Sequence, residues 1–163
     1  MNIRPMQRAD YEAVLLLNEQ SVHFLSPLSP RRLAELRARS ALHLVVEQDD
    51  AVTAFLLAFR EGAEYDSINY QWFQQRYRAF LYIDRVVVSA ASRAGGLGSL
   101  LYRHAFTHAQ GAGLPVVACE IDMRPPNPAS ERFHRKFGFK EVGQQALAGG
   151  TKIVSLQVAS VSA

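Results

Sequence analysis

The sequence predicts one α/β (α+β) domain, in which helices flank a mixed central β-sheet. Short apolar runs rich in β-branched and aromatic residues alternate with amphipathic helical segments along the chain. A strand–helix–strand order in the middle predicts a parallel pair of strands, and hairpin patterns lie on either side of it. We assign residues 1–163 to one domain, because this length suits a single core and no linker or repeat divides the chain.

The first third of the chain predicts a strand, two helices and a hairpin. Residues 3–6 form a short apolar run, and Asp10 is a plausible cap for the amphipathic segment that follows it. Ser29 precedes a proline and predicts the start of a second helix. Two apolar runs, 41–47 and 51–59, are separated by Gln-Asp-Asp and therefore predict a hairpin.

The middle of the chain predicts a central strand, a long helix and a second strand. Residues 61–78 are polar, rich in aromatic residues and weakly patterned. The run 80–88 has the composition of a central strand. A helical pattern then ends at glycines 111 and 113, and 116–121 is another apolar strand.

The last third predicts one more helix and the strands that complete the sheet. Asn127 and the proline after it begin the helix, and Gly138 ends it. Residues 139–142 and 153–158 have the apolar character of strands.

Composition argues against several function classes. The formal net charge is +3 and no long basic run is present, so we expect no nucleic-acid partner. Two basic clusters, 31–39 and 132–136, suit solvated helix faces. No apolar stretch approaches the roughly 18 residues of a membrane span, and the N-terminus does not resemble a signal peptide. We therefore expect a cytoplasmic protein without membrane contact, in which the single cysteine, Cys119, is a buried structural thiol.

A glycine-rich turn joins the predicted central strand to the next helix, and it reads Arg93, Ala94, Gly95, Gly96, Leu97, Gly98, Ser99. Its glycines expose backbone N–H groups, and a helix N-terminus adds partial positive charge, so the turn suits a phosphate. A dinucleotide fingerprint requires glycine where Leu101 stands, and a P-loop requires a lysine that is missing. A tight turn without a ligand is the alternative at this point.

A second motif lies downstream, where residues 127–139 read Asn-Pro-Ala-Ser-Glu-Arg-Phe-His-Arg-Lys-Phe-Gly-Phe. Together with Arg-x-x-Gly-x-Gly at 93–98, in this order and at this spacing, it resembles the GNAT superfamily of acyl-CoA-dependent N-acyltransferases. The resemblance covers roughly residues 80–143, and it is less specific over the first 60 residues. It departs from the family at Ala94, where glycine is frequent, and at His134, where tyrosine is frequent.

The resemblance implies a GNAT-like mixed central sheet, with acetyl-CoA wedged where two parallel strands splay apart. Backbone groups of Val86, Val87 and Val88 would pair with the pantetheine arm, and the turn from Arg93 to Ser99, followed by a helix from Ser99, would hold the pyrophosphate. Asn127 and Ser130 would lie along the pantetheine. The cofactor-binding residues so implied are Val86, Val87, Val88, Arg93, Ala94, Gly95, Gly96, Leu97, Gly98, Ser99, Asn127, Ser130 and His134. Arg132, Arg135 or Lys136 could reach the 3′-phosphate, or remain solvated surface charges.

Candidate catalytic residues follow from the chemistry of acyl transfer, which requires a base for the amine and a proton donor for the leaving thiolate. The resemblance places His134 at the position of the donor, where it could instead only contact the cofactor. Alternation along the central strand would put Tyr82, Asp84, Val86 and Val88 on one face, provided that no bulge intervenes. Asp84 is then a candidate base, a binding group for a cationic substrate, or a structural partner of an arginine. Tyr82 is a further catalytic candidate, and Glu120 and Asp122 on the next strand compete with Asp84.

The acceptor is less defined than the cofactor. An aromatic-rich segment could wall a pocket for an amine, or fill the core or a dimer surface; its members are Tyr65, Tyr70, Trp72, Phe73 and Tyr77. We expect N-acetylation of an unidentified small-molecule amine, and the aromatic segment leaves a homodimer open. An acyl-CoA-binding sensor without turnover and a protein-acetylating enzyme are the alternatives. His104 and His108 lie four residues apart but lack the glutamate of a zinc motif, so we expect no metal.

Overall fold

A seven-stranded mixed sheet forms the centre of the computed structural model, which describes residues 1–21 and 25–162. The strands lie in the order β1-β2-β3-β4-β5-β7-β6. Their bounds are β1 Asn2–Pro5, β2 Leu42–Gln48, β3 Ala51–Arg60, β4 Leu81–Val88, β5 Val116–Arg124, β6 Lys140–Leu147 and β7 Lys152–Ser160. Neighbouring strands pair antiparallel, except that β4 and β5 are parallel, as the strand–helix–strand pattern predicts.

Helices cover both faces of the sheet. Their bounds are α1 Tyr11–Glu19, α2 Pro30–Arg39, α3 Ile68–Gln74, α4 Leu97–Gly111 and α5 Pro128–Lys136. Apolar side chains of α1, α2 and α3 form one buried cluster against the sheet, whereas α4 and α5 pack into a second cluster. We call these the α1 face and the α4 face. The predicted mixed sheet flanked by helices is therefore confirmed.

Local sequence signals begin two of the helices as predicted. The Ser29 hydroxyl accepts a hydrogen bond from the Arg32 N–H over 3.1 Å at the start of α2. Oδ1 of Asn127 accepts from the Ser130 N–H over 3.3 Å at the start of α5. Each cap satisfies an N–H that the first turn of a helix leaves unpaired. Asp10 differs, because its carboxylate instead binds the Arg4 guanidinium at 2.7 Å.

The weakly patterned segment 61–78 contains a helix that the sequence did not predict. In this helix, α3, the Ser67 hydroxyl accepts from the Tyr70 N–H over 3.3 Å. Tyr70 and Phe73 are fully buried against the α1 face of the sheet. The helix is only 7 residues long, so its apolar periodicity covers less than two full cycles and is hard to detect.

The parallel strands β4 and β5 separate after a short contact. Only Leu81 with Val117 and Tyr82 with Ala118 are paired between them. Beyond these pairs, β4 continues beside β3 and β5 continues beside β7. A wedge-shaped gap therefore opens between the two strands, which confirms the splayed sheet that the resemblance implies.

Candidate active site

The gap between β4 and β5 opens into a cavity of about 230 Å³. Its lining combines residues of both sheet faces, since Glu120 lies towards the α1 face while Tyr102 and His134 lie towards the α4 face. A second cavity of about 370 Å³ adjoins it on the α1 face and shares Glu120, Asp84 and Lys152 in its lining. One ligand can thus enter from each face and meet the other in the gap.

The open edge of β4 provides backbone groups for a ligand on the α4 face. Val86, Val87 and Val88 pair with β3 on one side. On the other side, within the described ranges 1–21 and 25–162, no strand pairs with β4 beyond Tyr82. An extended chain such as pantetheine can add to such an edge as a further strand.

The glycine-rich turn lies at the end of this open edge. Gly96 has φ +72°, a left-handed conformation that glycine adopts without strain, and it caps α4 with no side-chain hydrogen bond. The N–H groups of the first turn of α4 therefore have no side-chain cap and suit an anion. The helix starts at Leu97, two residues before the predicted Ser99, so its N-terminus lies inside the motif. Arg93 is exposed on the preceding 3₁₀ turn.

Asn127, which caps α5, and Ser130 and His134 within it line the cavity on the α4 face, and their contact with pantetheine stays a prediction. Asn127 and Ser130 are linked by the helix cap, which fixes both near the start of the helix. Arg132, Arg135 and Lys136 are exposed on the outer side of α5.

His134 is buried, and both of its ring nitrogens have hydrogen-bond partners. Nδ1 lies 2.7 Å from the Ser130 carbonyl oxygen, which can only accept, so Nδ1 carries the proton. Nε2 lies 2.6 Å from the Tyr102 hydroxyl and therefore accepts a hydrogen bond from it. Burial lowers the pKa of the imidazole, and the bond to Ser130 opposes this only in part. The ring is thus neutral near pH 7 and has no free N–H to offer a leaving thiolate.

Glu120 lies in the gap itself, two residues beyond the last β5 residue paired with β4. Its Oε2 accepts a hydrogen bond from the Tyr82 hydroxyl over 2.7 Å. Burial raises the pKa of the Glu120 carboxyl to about 8, hydrogen bonds from Tyr82 and Asn69 oppose the rise, and the negative charge of Asp84 adds to it. A carboxyl with a pKa near the working pH suits general acid–base chemistry.

Asp84 is held in a buried ion pair. Its Oδ2 accepts from Nε of Arg85 over 2.7 Å, and its Oδ1 accepts from the Tyr65 hydroxyl over 2.5 Å. The side chains of Arg85 and Asp84 are 4% and 6% exposed. Arg85 also donates to Oδ1 of Asn18 and to Ser26. The structural role that the sequence left open for Asp84 is therefore the one that its contacts favour.

The predicted alternation along β4 is wrong beyond Asp84. Leu57 pairs with Arg85 while Ala58 pairs with Ile83, so Asp84 is an extra residue in β4, a β-bulge. The bulge reverses the alternation. Tyr82 packs on the α1 face, whereas Val86 and Val88 pack on the α4 face. Asp84 thus does not share a face with the residues that line the cofactor edge.

The aromatic segment mainly fills the core. Tyr65, Tyr70 and Phe73 are buried in the α1-face cluster, and Trp72 and Tyr77 pack against it. Tyr65 also lines the second cavity. Of these five residues, Tyr65 alone lines either of the two cavities, so the aromatic wall stays a prediction for Tyr65, and the core accounts for the other four.

Among the lining residues that sequence reasoning missed, Tyr102 and Lys152 contact residues that it did single out. Tyr102 belongs to the buried side of α4, and a hydroxyl there indicates a buried partner, but its partner His134 lies 32 residues away. Lys152 begins β7 and contacts Asp122, with Nζ 3.3 Å from Oδ1. No local pattern identifies either pair, because both depend on how the strands and helices assemble.

The remaining predictions concern the thiol, metals and membranes. Cys119 is buried, and burial raises the pKa of its thiol, as expected for a structural cysteine. Across the described part of the chain, no group of three or more His, Cys, Asp or Glu side chains could hold a metal ion. His104 and His108 therefore belong to no such group. Among the residues that the structure describes, no helix has the length and apolar character required to cross a bilayer.

Comparison with known proteins identifies the family. The model of the acetyltransferase (GNAT) family matches residues 7–139. The chain belongs to this family. Its members use acetyl-CoA, and the chain is accordingly an acetyl-CoA-dependent N-acetyltransferase. The glycine-rich turn and the start of α5 lie within the matched range.

Individual relatives agree with this assignment. Glucosamine 6-phosphate N-acetyltransferase 1 of rice, Oryza sativa subsp. japonica, is 34% identical over 152 residues, which cover 88% of this chain and 83% of the relative. Ard1 from Thermoplasma volcanium has the same fold, with a TM-score of 0.81 and 16% identity over 99% of this chain and 98% of that chain. The acetyltransferase yncA from Salmonella typhimurium, solved with acetyl-CoA, has a TM-score of 0.74 and 21% identity, over 100% and 95% of the two chains.

Proposed function

We propose that this N-acetyltransferase acetylates a small-molecule amine, with Glu120 as the general base. The observation that supports the proposal is the position of Glu120 in the gap between β4 and β5, where the two cavities meet. The second cavity is bounded by Tyr65, Asn69 and Arg32, and its size suits a small molecule.

The residues of the α4 face fit acetyl-CoA. The uncapped start of α4 would hold the pyrophosphate, and the open edge of β4 would pair with the pantetheine. Asn127, Ser130 and His134 would contact the arm from α5. When bound, acetyl-CoA supplies the acetyl group as a reactive thioester. His134 acts in this proposal as a cofactor contact and not as a proton donor, because its ring is neutral and both nitrogens are engaged.

Glu120 removes the proton that the amine must lose. An amine bound in the second cavity presents its nitrogen to the gap, where the carboxylate of Glu120 accepts a proton directly or through one water. The nitrogen then forms its bond to the acetyl carbon as the carbon–sulfur bond breaks, and the sulfur leaves as a thiolate that takes up a proton. Tyr82 orients the carboxylate through its hydrogen bond to Oε2.

The test is a thiol-release assay with acetyl-CoA and a panel of amines. The relative from rice is named for glucosamine 6-phosphate, so this compound and unphosphorylated glucosamine belong in the panel. We expect Glu120→Gln to lower kcat by roughly 10²- to 10⁴-fold while CoA affinity stays within a few-fold. Glu12→Gln, an exposed carboxylate on α1, is the matched control.

Two results would contradict the proposal. An unchanged kcat in a folded Glu120→Gln enzyme would exclude the base role. Tight CoA binding with no thiol release for any amine in the panel would instead favour the acyl-CoA sensor without turnover.

A further inference from the structure

We propose that the acceptor carries an anionic group, held by Lys152, about one sugar ring away from the amine that is acetylated. This inference rests on the proposed function and specifies its substrate class. An amino sugar phosphate and an ω-amino acid both have this arrangement of charges, whereas an α-amino acid does not.

Lys152 is a cation that the protein itself pairs only loosely. It lines both cavities, and its side chain is 29% exposed. Its ammonium group has three N–H donors, and its ion pair with Asp122 measures 3.3 Å. The donors that Asp122 leaves free can bind water or an anionic substituent of a ligand in the cavity.

A second cation, Arg32, also lines the second cavity. This residue of α2 pairs with Asp66 at 2.6 Å and with Glu35 at 3.4 Å. The Asp66 side chain is 85% exposed, so this pair is well solvated and contributes little to stability. A bound anion can therefore attract the Arg32 guanidinium at small cost.

The other charges around the cavity do not compete for this anion. The buried cation Arg85 is fully engaged with Asp84, Asn18 and Ser26. Glu120 faces the gap, where the incoming amine must lie. The lining of the second cavity thus combines the proposed base Glu120 with two cations, Lys152 and Arg32, that a bound anion can reach.

The register of β5 sets the distance between Glu120 and Lys152. Glu120 and Asp122 are alternate residues of an unbroken stretch of β5, since they pair with Leu156 and Val154 of β7 in sequence. Their side chains share a face, and their Cα atoms are roughly 7 Å apart. Lys152 contacts the carboxylate of Asp122, so an acceptor that reaches both Glu120 and Lys152 must separate its amine and its anion by a similar distance. The two charged groups of an α-amino acid are attached to one carbon and cannot span it.

Steady-state kinetics with matched acceptors test the inference. Glucosamine 6-phosphate and glucosamine share one amine and differ in the phosphate, while 6-aminohexanoate places a carboxylate at a comparable distance. We expect the wild-type protein to prefer glucosamine 6-phosphate over glucosamine by at least tenfold in kcat/KM. Activity on 6-aminohexanoate but not on glucosamine 6-phosphate would identify a carboxylate as the anion.

Variants at Lys152 connect the preference to this residue. Lys152→Met should reduce the ratio of kcat/KM for the phosphorylated over the neutral sugar by roughly tenfold, mainly through KM, because one charge-assisted hydrogen bond is lost. Lys152→Arg should retain most of the ratio. Lys140→Met, on the exposed edge strand β6, should leave it unchanged and serves as the control.

The outcomes separate this inference from the proposed function. Equal kcat/KM for the paired sugars and for 6-aminohexanoate, or a preference for the cationic amine spermidine, would overturn the inference while the enzyme remains an N-acetyltransferase of small amines. A preference that survives Lys152→Met in full would overturn the role of Lys152. Thiol release with no amine at all would overturn the proposed function, and the inference with it.

Discussion

The Tyr82 hydroxyl donates a hydrogen bond to Oε2 of Glu120 over 2.7 Å, across the point where β4 and β5 part. The bond joins the last paired residue of β4 to the carboxylate that enters the gap. It stabilises the charged form of Glu120, against burial and against the negative charge of Asp84. The balance of these effects sets the pKa of the proposed base at about 8.

Removal of this hydroxyl should move the pH profile of the enzyme. Tyr82→Phe takes away a bond that lowers the pKa of Glu120, so we expect the acidic limb of kcat/KM to shift to higher pH by about one unit. The acceptor's own amine titrates identically in both enzymes, so the difference between the profiles reports on Glu120. Tyr77→Phe, which packs against the same core, is the control. If the acidic limb of the kcat/KM profile of Tyr82→Phe lay at the same pH as in the wild type, the proposed effect of Tyr82 on the pKa of Glu120 would be contradicted.

The stability of the protein should depend on pH through Glu120. Its pKa is raised on folding, so between the unfolded value of about 4.3 and the folded value of about 8 the folded state retains a proton that the unfolded state releases. The contribution of Glu120 to the free energy of unfolding is therefore complete below this window and is lost as pH rises through it. The loss is at most about 1.4 kcal/mol per pH unit.

Urea unfolding of the wild type and Glu120→Gln at pH 5, 6.5 and 8 measures this effect. The variant has no carboxyl to titrate, so its stability relative to the wild type should increase with pH across the series. Other groups titrate alike in both proteins and cancel in the difference. A difference that does not vary with pH would show that Glu120 has an ordinary pKa.

A side chain added to the glycine-rich turn should leave the protein folded but weaken its binding of CoA. A Cβ on Gly98 would lie 3.7 Å from the Phe133 ring, which is an ordinary contact, so Gly98→Val should fold. The added methyl groups would occupy the approach to the first turn of α4, and we expect CoA affinity to fall at least tenfold. Gly111→Val, at the far end of the same helix and in open space, is the control.

Calorimetry and thermal unfolding measure this prediction. Wild-type protein with CoA at a hundredfold its Kd should gain about 2.7 kcal/mol of stability, and Gly98→Val should lose most of that gain. NAD should have far less effect on either protein. Wild-type CoA affinity in a folded Gly98→Val protein would exclude the turn from the site.

Asp84→Asn should lower the free energy of unfolding, while the activity per folded enzyme should change little. The substitution leaves the buried Arg85 guanidinium without its carboxylate, which costs about 3 kcal/mol or more in comparable pairs. Asp66→Asn is the control, because its exposed pair with Arg32 contributes less than about 1 kcal/mol. Chemical denaturation gives the stabilities, and kinetics per folded enzyme give the activity. A stable Asp84→Asn enzyme with a raised KM for the acceptor would show instead that Asp84 binds the amine.

Features that depend on residues close together in the sequence could be predicted, whereas features that depend on residues far apart could not. The caps at Ser29 and Asn127 formed as predicted, because each depends on residues within three positions of it. The prediction that Asp84 shares a face with Val86 and Val88 was wrong, because the bulge at Asp84 is set by pairing with β3 and not by β4 itself. Glu120 could be identified as a candidate base, but its environment depends on Tyr82, 38 residues away.

The sequence by itself determined the family, the order of most strands and helices, and the glycine-rich turn that we propose binds the pyrophosphate of acetyl-CoA. These features are encoded by local periodicity, capping residues and two short motifs, which need no knowledge of distant contacts. Only the tertiary structure decided which carboxylate enters the gap, why His134 is neutral and that Lys152 lines both cavities. Each of these depends on a hydrogen bond or ion pair between residues far apart in the chain, and burial in the assembled core sets the charge state of Glu120 and His134.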